Sequence, residues 1–269
     1  MLTVFMTKVK TKIEHLGDSG LGIVESSGRL GVFLFNTLSR LWMYRFPLEE
    51  TIKQLLFIGA RTVPLILISG LFTGMVVALQ FYDTLIRFGS VDLLGAAVAM
   101  SLIRELGPVM AALMVIARVG SATCAEIGIM RNEQQFDALD CMAIDSFHYV
   151  MLPRLLAAII SVPLLTAMFD TFGIGGGYIV GVLIHGVSDG AFLVGMADTI
   201  VWNDVWMGIV KSFLFGLVIM TVCMSKGFYL HIEQKQSGAV GVSQATTQAV
   251  VLSAVLMLFV DYIVSSLML

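Results

Sequence analysis

Apolar residues along this chain come in long blocks, not in the alternation of a half-buried strand or the single stripe of a surface helix. The blocks run over about 52–81, 93–118, 147–185, 205–225 and 247–268, with few charges inside them. A helix needs roughly 20 apolar residues to cross a bilayer core, and helices satisfy their own backbone groups there. The pattern predicts an all-α integral membrane protein with about five transmembrane helices. The third block is too long for one upright span. Pro153 and Pro163 can kink it, and Thr171 to Gly177 could break it. One long bent helix is the preferred reading.

Two sections break the apolar pattern. In residues 1–51, Leu30, Phe33, Leu34, Leu38, Leu41 and Trp42 recur at helical spacing, with Arg29, Arg40 and Arg45 around them. This suits an amphipathic helix in the cytoplasmic interface whose arginines reach lipid headgroups. The alternative is a helix packed on the rest of the protein. The second section, 129–146, is polar. Asn132 followed by Gln135 resembles a capping box, and Phe136, Leu139 and Ala143 make a short apolar stripe beside Glu133, Asp137 and Asp140. Such a helix is what a partner's groove could grip. The alternative is a plain connector.

Composition agrees with the lipid reading. Of 269 residues, 58% are hydrophobic and only 13% charged, against about 25% charged in soluble domains. The net charge of −3 gives no reason to expect a nucleic-acid partner. Cys124, Cys141 and Cys223 are isolated and odd in number, which supports neither a disulfide framework nor a metal site. No cleavable signal pattern opens the chain. Lysine and arginine concentrate in the N-terminal section, in 118–154 and in 226–246, whereas 186–204 carries Asp189, Asp198 and Asp204 and neither basic residue. The positive-inside rule then puts the N-terminus in the cytoplasm and the C-terminus outside. One span over 147–185 keeps that pattern; two would break it.

Candidate chemistry is sparse. No P-loop, GxSxG or HExxH motif occurs, so the chain is expected to be non-catalytic, with no cofactor or metal of its own. Arg104 and Glu105 lie in the second span, where a charge costs roughly 2.5–3.5 kcal/mol to insert. Pro108 lacks the N–H that would bond the Arg104 carbonyl. The pair suits the lining of a cavity or a lock between helices, two readings that do not exclude each other. Gly70 and Gly74, and Gly173, Gly177 and Gly181, form small-residue faces. These suit close helix packing or, along Gly74 and Ala78, a lipid groove.

The run RELGPVMAALMVIARVGSATCAEIGIMRNEQQFDALDCMAIDSFHYVMLPRLLA, residues 104–157, resembles the MlaE (YrbE) family, permeases of MCE-linked ABC transporters. GAVGVSQATTQAVV, residues 238–251, and Gly70 to Gln80 resemble it too. Ile116-Ala117 and Ser146 depart from the family's usual residues. The resemblance implies a permease domain over 52–269 working as a homodimer in the bacterial inner membrane. It implies an MlaF-type ATPase that binds the ATP, a hexameric MlaD-type MCE protein and an MlaB-type STAS protein. The cargo would be glycerophospholipid, moved between inner and outer membranes. The lipid-contacting residues would be Gly74, Met75, Ala78, Leu79 and Tyr82 on the first span and Met100, Arg104 and Glu105 on the second. Arg131, Glu133, Phe136, Asp137 and Leu139 would couple to the ATPase. A proton-coupled secondary transporter using Glu105 is the alternative from a different class.

Overall fold

The computed structural model describes residues 25–42, 47–233 and 238–268. Arg45 lies outside them. Helix α1 covers 25–42, and among the described residues five helices are long and apolar enough to span a membrane. These are α2 (Leu48–Arg87), α3 (Val91–Asn132), α5 (Phe147–Ile184), α7 (Trp202–Phe228) and α9 (Ala239–Met268). Shorter helices α4 (Gln135–Cys141), α6 (Asp189–Thr199) and α8 (Leu230–Glu233) join them.

Each long helix is irregular where its sequence cannot hold a straight α-helix. In α2 a π-helical turn at Leu56–Ala60 precedes a break at Arg61 and Thr62. The helix restarts at Val63, so Pro64 sits in a first turn where its missing N–H costs nothing. α3 carries π turns at Leu102–Leu106 and Ile116–Gly120. α5 is one helix; its α-helical stretch Leu152–Tyr178 runs through Pro163 and through Thr171 to Gly177 without a break. The glycines that could have broken it serve as packing surface. A Cβ on Gly74 of α2 would collide with the Gly173 carbonyl of α5, and one on Gly176 with the Leu71 carbonyl. Backbone therefore meets backbone, as small-residue faces allow in lipid.

α3 extends well past 118, to Asn132. Val119, Gly120, Cys124, Ile127 and Gly128 are buried, and this apolar and small-residue face packs on α7 and α9. α5 and α7 form the interior, with about two thirds of their apolar windows buried; α9 is peripheral, with 17%. Val251, Val255, Leu258, Phe259 and Tyr262 on α9 point outward, as apolar side chains can where lipid is the solvent.

α1 is amphipathic as expected, but its arginines are not free for headgroups. Arg40 lies 2.9 Å from Asp145 and Arg29 pairs with Glu25 at 3.5 Å. Phe33 is fully buried, its ring 5.4 Å from Phe147 and 5.9 Å from Phe228. One face of α1 is thus part of the protein core, while Phe35 and Trp42 remain exposed.

Candidate functional site

The π turn at Leu102–Leu106 places Arg104 and Glu105 on separate partners. Arg104 directs Nη2 and Nε to Asp204 Oδ1, at 2.7 and 2.9 Å. The other Asp204 oxygen accepts the Val201 N–H at 3.1 Å and so caps the start of α7. Glu105 Oε2 lies 2.7 Å from Lys211 Nζ, and Glu105 Oε1 accepts from Ser265 Oγ at 3.2 Å. Lys211 also donates to the Arg104 carbonyl at 2.9 Å. That is the carbonyl Pro108 leaves without a helical donor, so the sequence defect and its repair are both visible. Asp261 Oδ1 lies 3.1 Å from Lys211 Nζ, an ionic contact whose angle makes no hydrogen bond.

The result is a lattice of two cations and three carboxylates tying α3, α7 and α9 together. Lys211 is fully buried and Asp204 nearly so, whereas the Glu105 side chain is 44% exposed. A buried pair is weak as net stabilisation, but removing one partner costs several kcal/mol. The ion pairs make Arg104 and Glu105 a lock between helices, and both side chains remain partly exposed. Arg104 has an internal counter-charge and does not wait on a headgroup for one.

Asp204, Lys211, Asp261 and Ser265 were not picked out by sequence as site residues. The signal was present: Lys211 and Asp261 are lone charges inside apolar blocks, under the same insertion penalty as Arg104. Matching intramembrane charges by sign narrows the candidates to a few, without saying which helices face one another.

On the first span, Gly74 and Ala78 are buried in helix packing, Gly74 directly against Gly173 of α5. Lipid cannot reach them, which corrects the groove reading for both. Leu79 is exposed, and Met75, Tyr82 and Met100 are half-buried. The Tyr82 ring meets that of His185 at a tilt of 42°, with ring centres 4.1 Å apart.

The segment after α3 is also more tightly built than its sequence suggests. The capping box does not form. Instead Gln134, with φ of 56°, takes the left-handed conformation just before α4. Asn132 donates to the Gly238 carbonyl at 3.3 Å. Phe136 is buried and meets Phe228 edge-on at 5.3 Å, so it cannot also fill a partner's groove. Leu139 packs partly against the same core. Arg131 covers the Phe228 ring at 5.3 Å, pairs with Asp137 at 3.2 Å and donates to His231 Nδ1 at 3.3 Å. Burial, then the nearby Arg131 charge, holds the His231 imidazole below its usual pKa. The exposed residues include Glu133, Asp137, Asp140, Cys141, Met142 and Ile144.

No group of three or more His, Cys, Asp and Glu side chains able to hold a metal occurs among the described residues. Comparison with known proteins agrees with the architecture. Residues 51–267 match the family model described as permease MlaE. The intermembrane phospholipid transport system permease protein MlaE of Haemophilus influenzae is 38% identical over 257 residues, 95% of this chain and 97% of that one. A probable ABC transporter permease protein of Rickettsia bellii is 36% identical, covering 94% and 95%. The chloroplastic protein TRIGALACTOSYLDIACYLGLYCEROL 1 of Arabidopsis thaliana is 31% identical, covering 81% of this chain and 61% of its own length. A five-span helical protein with the intramembrane Arg-Glu of the RELGP run, matched by that model almost from end to end of its membrane region, belongs to the MlaE permease family.

Proposed function

We propose that this chain is the permease subunit of an ATP-driven transporter that moves glycerophospholipid between the inner and outer membranes of a bacterium. The observation that carries the reading is the near full-length similarity to a permease named for intermembrane phospholipid transport. The sequence has no P-loop, so hydrolysis falls to a separate, MlaF-type subunit. An MlaD-type MCE hexamer and an MlaB-type STAS protein complete the assembly. Two permease copies enclose the lipid path, with the exposed faces of α2 and α9 as the surfaces available for it. The chain lies in the inner membrane with the α4 segment in the cytoplasm and the C-terminus in the periplasm.

Two features support a moving permease over a static anchor. The ion lattice ties three spans at a point where Glu105 stays half-exposed, and π turns there give α3 a local irregularity, a feature frequent at functional sites. The exposed acidic and apolar residues of α4 and its flanks, Asp137, Asp140, Met142 and Ile144, offer the ATPase a contact surface. The test is reconstitution of the permease with its ATPase and MCE partners in phospholipid vesicles. ATP should drive labelled phospholipid from permease vesicles to acceptor membranes. Transfer driven by a proton gradient without the ATPase would overturn the reading in favour of a secondary transporter.

A further inference from the structure

The carboxyl of Asp170 lies outside the ion lattice. It sits mid-helix on α5 and makes no hydrogen bond or ion pair with any described residue; its buried Oδ1 has no partner. It presses on Gly107 of α3, where a Cβ would collide with it. The glycine of the RELGP run thereby makes room for this carboxyl. Asp170 borders a cavity of about 230 Å³ between α3, α5 and α7. Ala167, Thr171 and Ile209 on its wall are exposed, so it opens to the surrounding membrane.

The other polar groups of this cavity share one property. Thr166 donates its hydroxyl proton to Val162 O at 3.0 Å, Thr171 to Ala167 O at 2.8 Å and Ser212 to Ile209 O at 2.9 Å. Their protons are committed to their own helices, and only lone pairs remain for the cavity. Arg104 and Lys211, next in the chain to the wall residues Ile103 and Ser212, are held by Asp204, Glu105 and Asp261. The hydroxyls of the cavity accept hydrogen bonds and offer none, and beside them lies a carboxyl with no counter-charge among the described residues. Its wall residues Val205 and Ser212 lie about 5 and 15 Å along α7 from Trp202 at 1.5 Å per residue. That is within reach of a lipid headgroup at that end.

We infer that the Asp170 cavity binds a primary ammonium group, that of an ethanolamine phospholipid headgroup. An ammonium carries three donors and a positive charge, which matches the carboxyl and three hydroxyl acceptors. A choline headgroup has no N–H to give, and a glycerol headgroup has no cation. The inference rests on the lipid-permease reading and adds a headgroup site to it.

The test uses the full chain in nanodiscs of phosphatidylglycerol alone, or mixed equally with phosphatidylethanolamine or phosphatidylcholine. The apolar reagent dicyclohexylcarbodiimide adds to a carboxyl and rearranges to an N-acylurea. Nothing leaves, so the Asp170 peptide gains the whole reagent mass. Phosphatidylethanolamine should slow this modification about tenfold, the effect of one charge-assisted hydrogen bond, and phosphatidylcholine should not. Equal rates in all three bilayers, as a cavity holding only water would give, overturn the site. So does failure of Asp170 to react in any of them. Protection by free ethanolamine equal to that of the lipid overturns the lipid as the source of the ammonium. Asp170→Asn should lower the ethanolamine lipid retained per purified chain; if that variant does not fold, the labelling rates of the unaltered chain still decide. ATP-driven transfer of phosphatidylglycerol with no protection at Asp170 would refute this site and leave the transport reading standing.

Discussion

At the residue scale, Lys211 is the most constrained side chain. It is fully buried and faces Glu105, Asp261 and the Arg104 carbonyl at once. Lys211→Met keeps the length and loses the charge, leaving two carboxylates close together without a cation. We expect it to lower thermal stability in detergent by about 3–5 kcal/mol, the cost of breaking a buried pair. Adding Glu105→Gln and Asp261→Asn should restore much of that loss, because a neutral cluster needs no counter-charge. A triple variant no more stable than Lys211→Met would mean that packing, not charge, holds this site. Half of the lattice was legible in the sequence: Arg104, Glu105 and the carbonyl freed by Pro108. The other half was hidden because its members are about 100 to 160 positions away, and single charges in an apolar block give no hint of which helix will face which.

At the scale of elements, α4 shows where a sequence stripe misleads. Phe136 has the spacing of a docking residue, yet the aromatic cluster of Phe33, Phe147 and Phe228 claims its ring. Phe136→Asp should therefore destabilise the permease itself and lower its folded yield. Met142→Asp, on the exposed side, should leave yield intact and weaken co-purification of the ATPase. The opposite pattern would return Phe136 to the interface. The same corner carries a pH dependence. His231 is held below its usual pKa of about 6.5, so the unfolded chain binds its proton more readily than the folded one. Stability from this contact is intact above about pH 6.5 and is lost as the pH falls through the depressed value. Amide exchange over 228–233 should accelerate on acidification, and His231→Gln should abolish that acceleration. The spans themselves were plain from apolar block length. The extra reach of α3 was not, because its last turns mix small, polar and apolar residues and are recruited by contact with α7 and α9.

At the scale of the whole molecule, the five spans form a bundle that is well filled at α5 and α7 and bare along α9. Its orientation is open to a direct check with a native probe. Cys141 is exposed while Cys124 and Cys223 are buried. A membrane-impermeant thiol reagent added to intact spheroplasts should miss Cys141 and label a Ser188→Cys variant, and inside-out vesicles should reverse both results. Labelling of Cys141 from outside would invert the topology proposed here.

The distance in sequence between the lattice partners also sets a schedule. Arg104 and Asp204 are separated by 100 residues, which at bacterial synthesis rates of about 5–20 residues per second is roughly 5–20 s. For that interval α3 has been made and its counter-charges have not. Asp261 follows Asp204 in the chain and is the last of the lattice charges to be made. A nascent permease therefore spends seconds with Arg104 and Glu105 lacking their partners on α7 and α9. A ribosome stalled before α7 leaves behind a fragment marked by bare charge in the membrane, which is the kind of defect a membrane protease can recognise.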